Sequence, residues 1–213
     1  YQNAVQKLQM YLSVFPDAHQ ANFIYAASLL KLGRILDSIP ILEKLDKSQP
    51  HDFRVLSLLG NAYIQNNQTE QGIQILHKVV ELEPDIARSR LQLGAALLRD
   101  KSGLIVAQQE LIKAIELDPE LLQADLALYM SYMRNKDFLN AGKVALQLKQ
   151  KQNKTTLGSN LLAISLFAAS KKEEAIAELK NTLNFYPADP LTSNNLANVY
   201  LQNNELDEAK RLY

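Results

Sequence analysis

Leucines and small residues return along this chain in two stripes of helical period. Each copy of the pattern can be numbered so that a recurrent proline takes position 32. Position 7 is then Tyr25, Leu59, Leu93, Leu128, Leu162 and Leu196, and position 8 is Ala26, Gly60, Gly94, Tyr129, Ala163 and Ala197. Position 11 is Leu29, Tyr63, Leu97, Tyr132, Leu166 and Tyr200. Together with position 4 these lie on one face of a helix. A second face follows. Position 20 is Ala4, Ser38, Gly72, Ala107, Ala141, Ala175 and Ala209, and position 24 is Leu8, Leu42, Leu76, Leu111, Ala145, Leu179 and Tyr213. Small residues at 8 and 20 let two antiparallel backbones approach, and large residues at 7, 11 and 24 fill the space around the contact. The predicted element is a helix pair.

The pair is copied at a nearly fixed interval. Pro16, Pro50 and Pro84 stand 34 residues apart, Pro119 follows 35 later, Asn153 takes the next place, and Pro187 lies 34 beyond it. Such self-similarity predicts an array, in which each unit packs on its neighbours and no separate globular core is needed. The expected organisation is a single array over 1–213. Its units run over about 1–18 (partial), 19–52, 53–86, 87–121, 122–155, 156–189 and 190–213 (partial). A lone second helix near 1–15 opens it and a unit is cut at its end, so it reads as a slice of a longer array.

Local signals refine the pattern. Asn66-Asn67-Gln68, Asn135-Lys136-Asp137 and Asn203-Asn204 break the chain between paired helices. The extra residue of the fourth copy falls in Asp100–Gly103, where insertion costs little. Asp52, Asp85, Asp189 before Pro190, and Thr155 or Thr156 are the expected helix caps. Pro40 lies within a predicted helix and should delay its start or kink it. Tyr129 with Ala145 inverts the usual sizes at positions 8 and 24, so the ring is expected to pack over the alanine. Arg90 and Asp125 share position 4 in adjacent units and are expected to pair.

These residues resemble the tetratricopeptide repeat family. The closest stretches are Leu59-Gly60-Asn61-Ala62-Tyr63, Gly72 through Leu76, Leu82-Glu83-Pro84, Leu117-Asp118-Pro119 and Asn195 through Tyr200. The resemblance implies an all-α fold: a right-handed superhelical solenoid of antiparallel helix pairs. Position 4, often Trp in the family, is Asn22, Leu56, Arg90, Asp125, Ser159 and Ser193 here. A finer resemblance lies in Gln123–Leu128, Tyr132–Phe138 and Leu148–Gln152. These runs are similar to bacterial repeat lipoproteins associated with exosortase sorting and exopolysaccharide export. That similarity implies an envelope role and slightly favours the periplasm or envelope over the cytoplasm.

Composition removes several chemistries. There is no cysteine, so disulfides, thiol catalysis and Cys-ligated zinc are excluded. Lys plus Arg and Asp plus Glu are 23 each, a balance that argues against nucleic acid as the partner. No apolar run is long enough for a membrane span. His19, His51 and His77 occupy unrelated unit positions and read as solvated or cap-side groups rather than metal ligands. No phosphate loop, HExxH or GxSxG element is present, and no metal, cofactor or catalytic residue is expected.

The resemblance places partner binding on the concave face, at first-helix positions 2, 5, 9, 12 and 13. The apolar floor there would be Phe23, Leu30, Ile64, Leu91, Leu98, Leu126, Met130, Met133, Ile164, Phe167 and Leu201, although half of these could instead pack neighbouring units. Arg54 and Arg88 lie in first turns, where the macrodipole disfavours a cation, and so are expected to anchor an acidic partner, with Arg134 nearby. Asn61 matches one position of the carboxylate clamp of chaperone-binding members, but Ser57 stands where that clamp needs Lys. Asn194, Asn195 and Asn198 make the last inner face polar, as in members that bind a peptide backbone. The expected function is non-catalytic protein–protein interaction, with a peptide or partner segment in the groove. The alternatives are a spacer or regulatory array of a larger enzyme such as a glycosyltransferase, or a scaffold that self-associates weakly end to end.

Overall fold

The computed structural model describes residues 1–100 and 103–212. Thirteen helices occupy them: α1 (Gln2–Val14), α2 (His19–Lys31), α3 (Ile35–Ser48), α4 (Phe53–Gln65), α5 (Thr69–Leu82), α6 (Ala87–Leu97), α7 (Leu104–Leu117), α8 (Leu122–Arg134), α9 (Phe138–Lys151), α10 (Leu157–Ala168), α11 (Lys172–Phe185), α12 (Pro190–Gln202) and α13 (Leu206–Lys210). No strand occurs among the described residues. The chain divides into two compact units, 1–121 with α1–α7 and 122–213 with α8–α13.

In the first unit each helix packs on the next, and α2, α4 and α6 also touch in succession. The core is the stripe read from the sequence: Ala26, Leu29, Leu42, Leu76, Ala107 and Leu111 have no exposed surface. Burying one such leucine contributes about 1.5–3 kcal/mol. The closest helix approach uses glycine. A Cβ on Gly72 would lie 2.8 Å from the carbonyl oxygen of Gly60, and one on Gly60 would lie 2.8 Å from Leu76 Cγ. Any side chain at either position would push α4 and α5 apart.

The second unit solves the same contact differently. Tyr129 and Ala145 are both buried, with bulk moved from α9 to α8. The Tyr129 hydroxyl donates to the carbonyl of Leu161 at 2.8 Å. A polar seam joins α10 to α12. Asn160, 1% exposed, donates to Thr192 Oγ1 at 2.8 Å and accepts from Asn195 Nδ2 at 2.7 Å. Thr192 in turn donates to the capping carboxylate of Asp189. Buried polar groups are tolerated here because each has a partner.

One turn closes the described helix pairs. Gly33, Asn67, Lys136, Ser170 and Asn204 adopt positive φ at the same unit position. The residue after each donates to the carbonyl of position 11, as Gln68 does to Tyr63 and Lys171 to Leu166, both at 2.9 Å. This six-to-one bond and left-handed residue form a Schellman closure. The corresponding turn of the inserted copy contains residues outside the described ones.

Several local expectations change. Asp52 and Asp189 cap α4 and α12 by accepting from backbone N–H groups. Asp85 does not cap α6; the cap position falls one residue later, on Ile86, so the carboxylate is out of register. Thr156 is the cap residue of α10 but its side chain makes no cap bond. Pro40 does not delay α3, which begins at Ile35 and runs through the proline. Arg90 and Asp125 each have a partner within their own unit. Arg90 donates to Glu110 at 2.6 Å and to the carbonyl of Pro84 at 2.8 Å, while Asp125 accepts from Lys151 at 3.0 Å. Asn22, at the same position as Arg90, likewise donates to the carbonyl of Pro16 at 2.8 Å. Polar residues here tie down the turn before the helix.

Candidate functional site

In the first unit the first-helix faces carry Phe23, Leu30, Arg54, Asn61, Arg88, Leu91 and Leu98. Phe23 and Leu30 are half-buried against Ala26, Leu42, Leu45, Val55, Leu59 and Ala62, and Leu98 packs on the cluster around Leu76 and Leu93. These three therefore work in the packing between helices and present only part of their surface. Leu91 and Asn61 are half-buried and Arg88 is exposed.

Arg54 has a local reason that the sequence reading missed. Its Nε donates to Asp52 Oδ1 at 3.0 Å and its Nη2 to Oδ2 at 2.7 Å, while its backbone N–H donates to the same carboxylate at 2.9 Å. The guanidinium also stands 5.8 Å from the centre of the Phe23 ring, within cation–π range. The cap carboxylate offsets the unfavourable helix dipole, so the placement of Arg54 does not by itself demand an external anion. The hydrogen bond from Arg54 holds the Asp52 carboxyl below the usual carboxylate range, against the opposing effect of burial. His19 approaches the same carboxylate, with Nε2 3.9 Å from Asp52 Oδ2. Arg88 makes no hydrogen bond or ion pair with the described residues and is the freer cation of the two.

In the second unit Met130 is 67% exposed, Leu126 and Met133 are half-buried, and Arg134 ends α8 on the surface. Asn194 and Asn198 are exposed on α12. The structure brings Asn198 together with a hollow of about 200 Å³ between α10 and α12. Its floor is Ala163, Ile164, Phe167, Leu179 and Val199; its polar edge is Asn195, Asn198 and Gln202. The three carboxamides lie along one stripe of α12. Each carboxamide offers both a donor and an acceptor, the same pair that a peptide group presents. Asn195 spends one N–H on Asn160 and is held in place by it. Gln202 stands at position 13, one of the family's groove positions, but escaped a reading that looked there for apolar and charged residues; its spacing from Asn195 and Asn198 was the available signal.

Among the described residues no cluster of three or more His, Asp or Glu could hold a metal ion. No described helix is long and apolar enough to cross a membrane.

Models of the tetratricopeptide repeat match residues 29–98 and 160–213, together more than half of the chain. The chain is a tetratricopeptide-repeat protein. A 74-residue stretch is 31% identical to the Protein CTR9 homolog of Arabidopsis thaliana, covering 35% of this chain and 7% of that protein's length. A tetratricopeptide repeat protein from Parabacteroides merdae superposes with a TM-score of 0.69 at 12% identity, covering 98% of this chain and 82% of that one. YrrB, described as a tetratricopeptide repeat protein with an unusual peptide-binding site, superposes at 0.65 and 12% identity, covering 87% of this chain and 95% of its own. At such identities the superpositions show the fold.

Proposed function

We propose that this chain is a non-catalytic protein-interaction scaffold that holds an extended peptide or partner segment on the inner faces of its first helices. The hollow between α10 and α12 carries the reading, because it joins an apolar floor of Ile164 and Phe167 to the carboxamides of Asn195, Asn198 and Gln202. Apolar side chains would enter the floor and the peptide backbone would meet the carboxamides. Arg88, Arg54 and Arg134 would favour acidic groups along the segment, with Arg88 carrying more of that role than Arg54. We further propose that 1–213 forms a single array of such helix pairs. The short runs between Gln123 and Gln152 support service in bacterial envelope or exopolysaccharide assembly.

The test is selection of peptides on the whole chain from a random display library, then calorimetry on variants. Asn198→Ala with Gln202→Ala should weaken the best peptide about tenfold, and Arg88→Glu should do so for acidic peptides, both with unchanged helicity. Undiminished binding to these variants would overturn the assignment of the site.

A second reading has its own observation. Met10, Tyr11, Val14 and Phe15 are exposed on or beside α1 and favour weak self-association through that helix. Sedimentation across concentration measures it, and a constant monomer mass would reject it.

A further inference from the structure

The hollow between α9 and α10 is a different site, on a different stripe of α10. We propose that it docks an amphipathic helix of a partner protein, one that presents aliphatic anchors flanked by carboxylates.

The first observation is a missing side chain. One residue after the helix-contact position, α3, α5 and α11 carry Ile39, Ile73 and Ile176, each half-buried against its local core. The same register holds Gln108 in α7 and Gly142 in α9. Gly142 is not required by close packing. A Cβ there would meet Ser165 Oγ at 3.4 Å and Leu162 Cδ1 at 3.8 Å, ordinary contacts, whereas one on Gly72 would clash at 2.7 Å with Ile64. What the glycine does is leave a volume of about 290 Å³ open.

The second observation is the chemistry of the walls. Leu139 and Leu146 flank Gly142 on α9 and are 72% and 44% exposed. Phe138, Leu162, Leu166 and Ala169 complete an apolar lining, and Ser165 spends its hydroxyl on the Leu162 carbonyl at 2.8 Å. The charged groups on the rim are Lys143 and Lys171. Lys143 donates to Asn140 at 3.1 Å, and Lys171 pairs with Glu174 at 3.0 Å in an exposed contact that an incoming carboxylate can replace. The related hollow between α5 and α6 sets Glu70, Arg99 and Asp100 beside Ile73 and Leu97, so both charges meet there.

Size selects the occupant. The volume lies at the lower bound for small-molecule pockets, about 300 Å³. The α9 wall from Phe138 to Leu146 extends about 12 Å, or two helical turns. That length matches anchors at i, i+4 and i+7 of a helix laid between two others. The two lysines of the lining select acidic flanks.

The probe is a fluorescein-labelled helical peptide of about 16 residues with a leucine stripe and glutamate flanks, titrated against the whole chain by anisotropy. Its lysine-flanked and serine-striped counterparts serve as controls. The acidic peptide should bind at least about tenfold tighter than either. Gly142→Ile installs the side chain that other copies carry; it should raise Tm and weaken binding about tenfold. Lys143→Glu with Lys171→Glu should reverse the preference between acidic and basic peptides. Should the isoleucine variant lose Tm, Leu139→Glu with Leu146→Glu tests the same wall from exposed positions and should abolish binding. Equal binding of all three peptides, no binding, or binding indifferent to these changes overturns the proposal. So does a concentration-dependent dimer that Gly142→Ile dissolves, which would make a second copy the occupant.

Discussion

The hydroxyl of Tyr129 donates to the backbone carbonyl of Leu161, 32 residues away, at 2.8 Å. One side chain thus replaces the small residue usual at position 8 and also ties α8 to the next first helix. Burial pushes its phenol up to about 12. Tyr129→Phe should cost about 0.5–1.5 kcal/mol in urea unfolding at neutral pH, with unchanged m-value. Because the folded pKa is raised, the stabilising effect of this group is full below about pH 10 and falls as pH rises toward 12. The Phe variant should show a shallower alkaline decline.

Ala145 is the other half of that inversion. It is fully buried on α9, where other copies place leucine. Ala145→Leu should therefore overpack the helix contact and cost about 1–3 kcal/mol, measured by the same titration. A neutral result would mean that the ring does not occupy the space over Ala145.

The left-handed turn residues make an internal series. Lys136 and Ser170 hold φ of 59° and 62°, conformations disfavoured for residues with a Cβ. Lys136→Gly and Ser170→Gly should each raise stability by about 0.5–1 kcal/mol, the relief of strain exceeding the added freedom of the unfolded chain. Asn67→Gly should gain less, because asparagine tolerates this conformation. Thermal unfolding of the three variants ranks them.

Asp52 sets an acid-side expectation. Its carboxyl is held low by Arg54, so the stability it contributes is present above the unfolded value, about 3.9, and is lost as pH falls through the folded one. Asp52→Asn keeps a capping side chain and removes the ion pair. The variant should be less stable at pH 7 and should lose less Tm between about pH 6 and 3. Parallel Tm curves would show that the pair with Arg54 leaves the carboxyl titrating alike in the folded and unfolded chain.

Much of the fold was legible because a helix contact leaves a size pattern. Ala26 opposite Leu42, or Gly60 opposite Leu76, can be recognised without coordinates once the register is known. The turns were legible where asparagine marks them and less so at Ser170, where position alone predicts positive φ. Other features needed three dimensions. Asp52 was read only as a cap, yet two residues of separation let Arg54 fold back on it. Arg90 found Glu110 twenty residues on, in the paired helix, a partner that the repeat register does not mark. The carboxamide edge of the α10–α12 hollow was half visible: Asn198 was singled out, while Gln202 was not. Gly142 was passed over because an absent side chain becomes informative only beside the copies that have one.

The inverted contact at Tyr129 and Ala145, set against the glycines of α4 and α5, limits how this chain can be recombined. Its copies look interchangeable in outline but are keyed differently. A tyrosine grafted at Gly60 would begin with its Cβ 2.8 Å from Leu76 Cγ, and a leucine grafted at Ala145 would contest the room of Tyr129. Swapping a first helix between copies without its own second helix should therefore give misfitted hybrids, while whole pairs carry this contact with them. The smallest heritable part of this protein is the matched pair of helices.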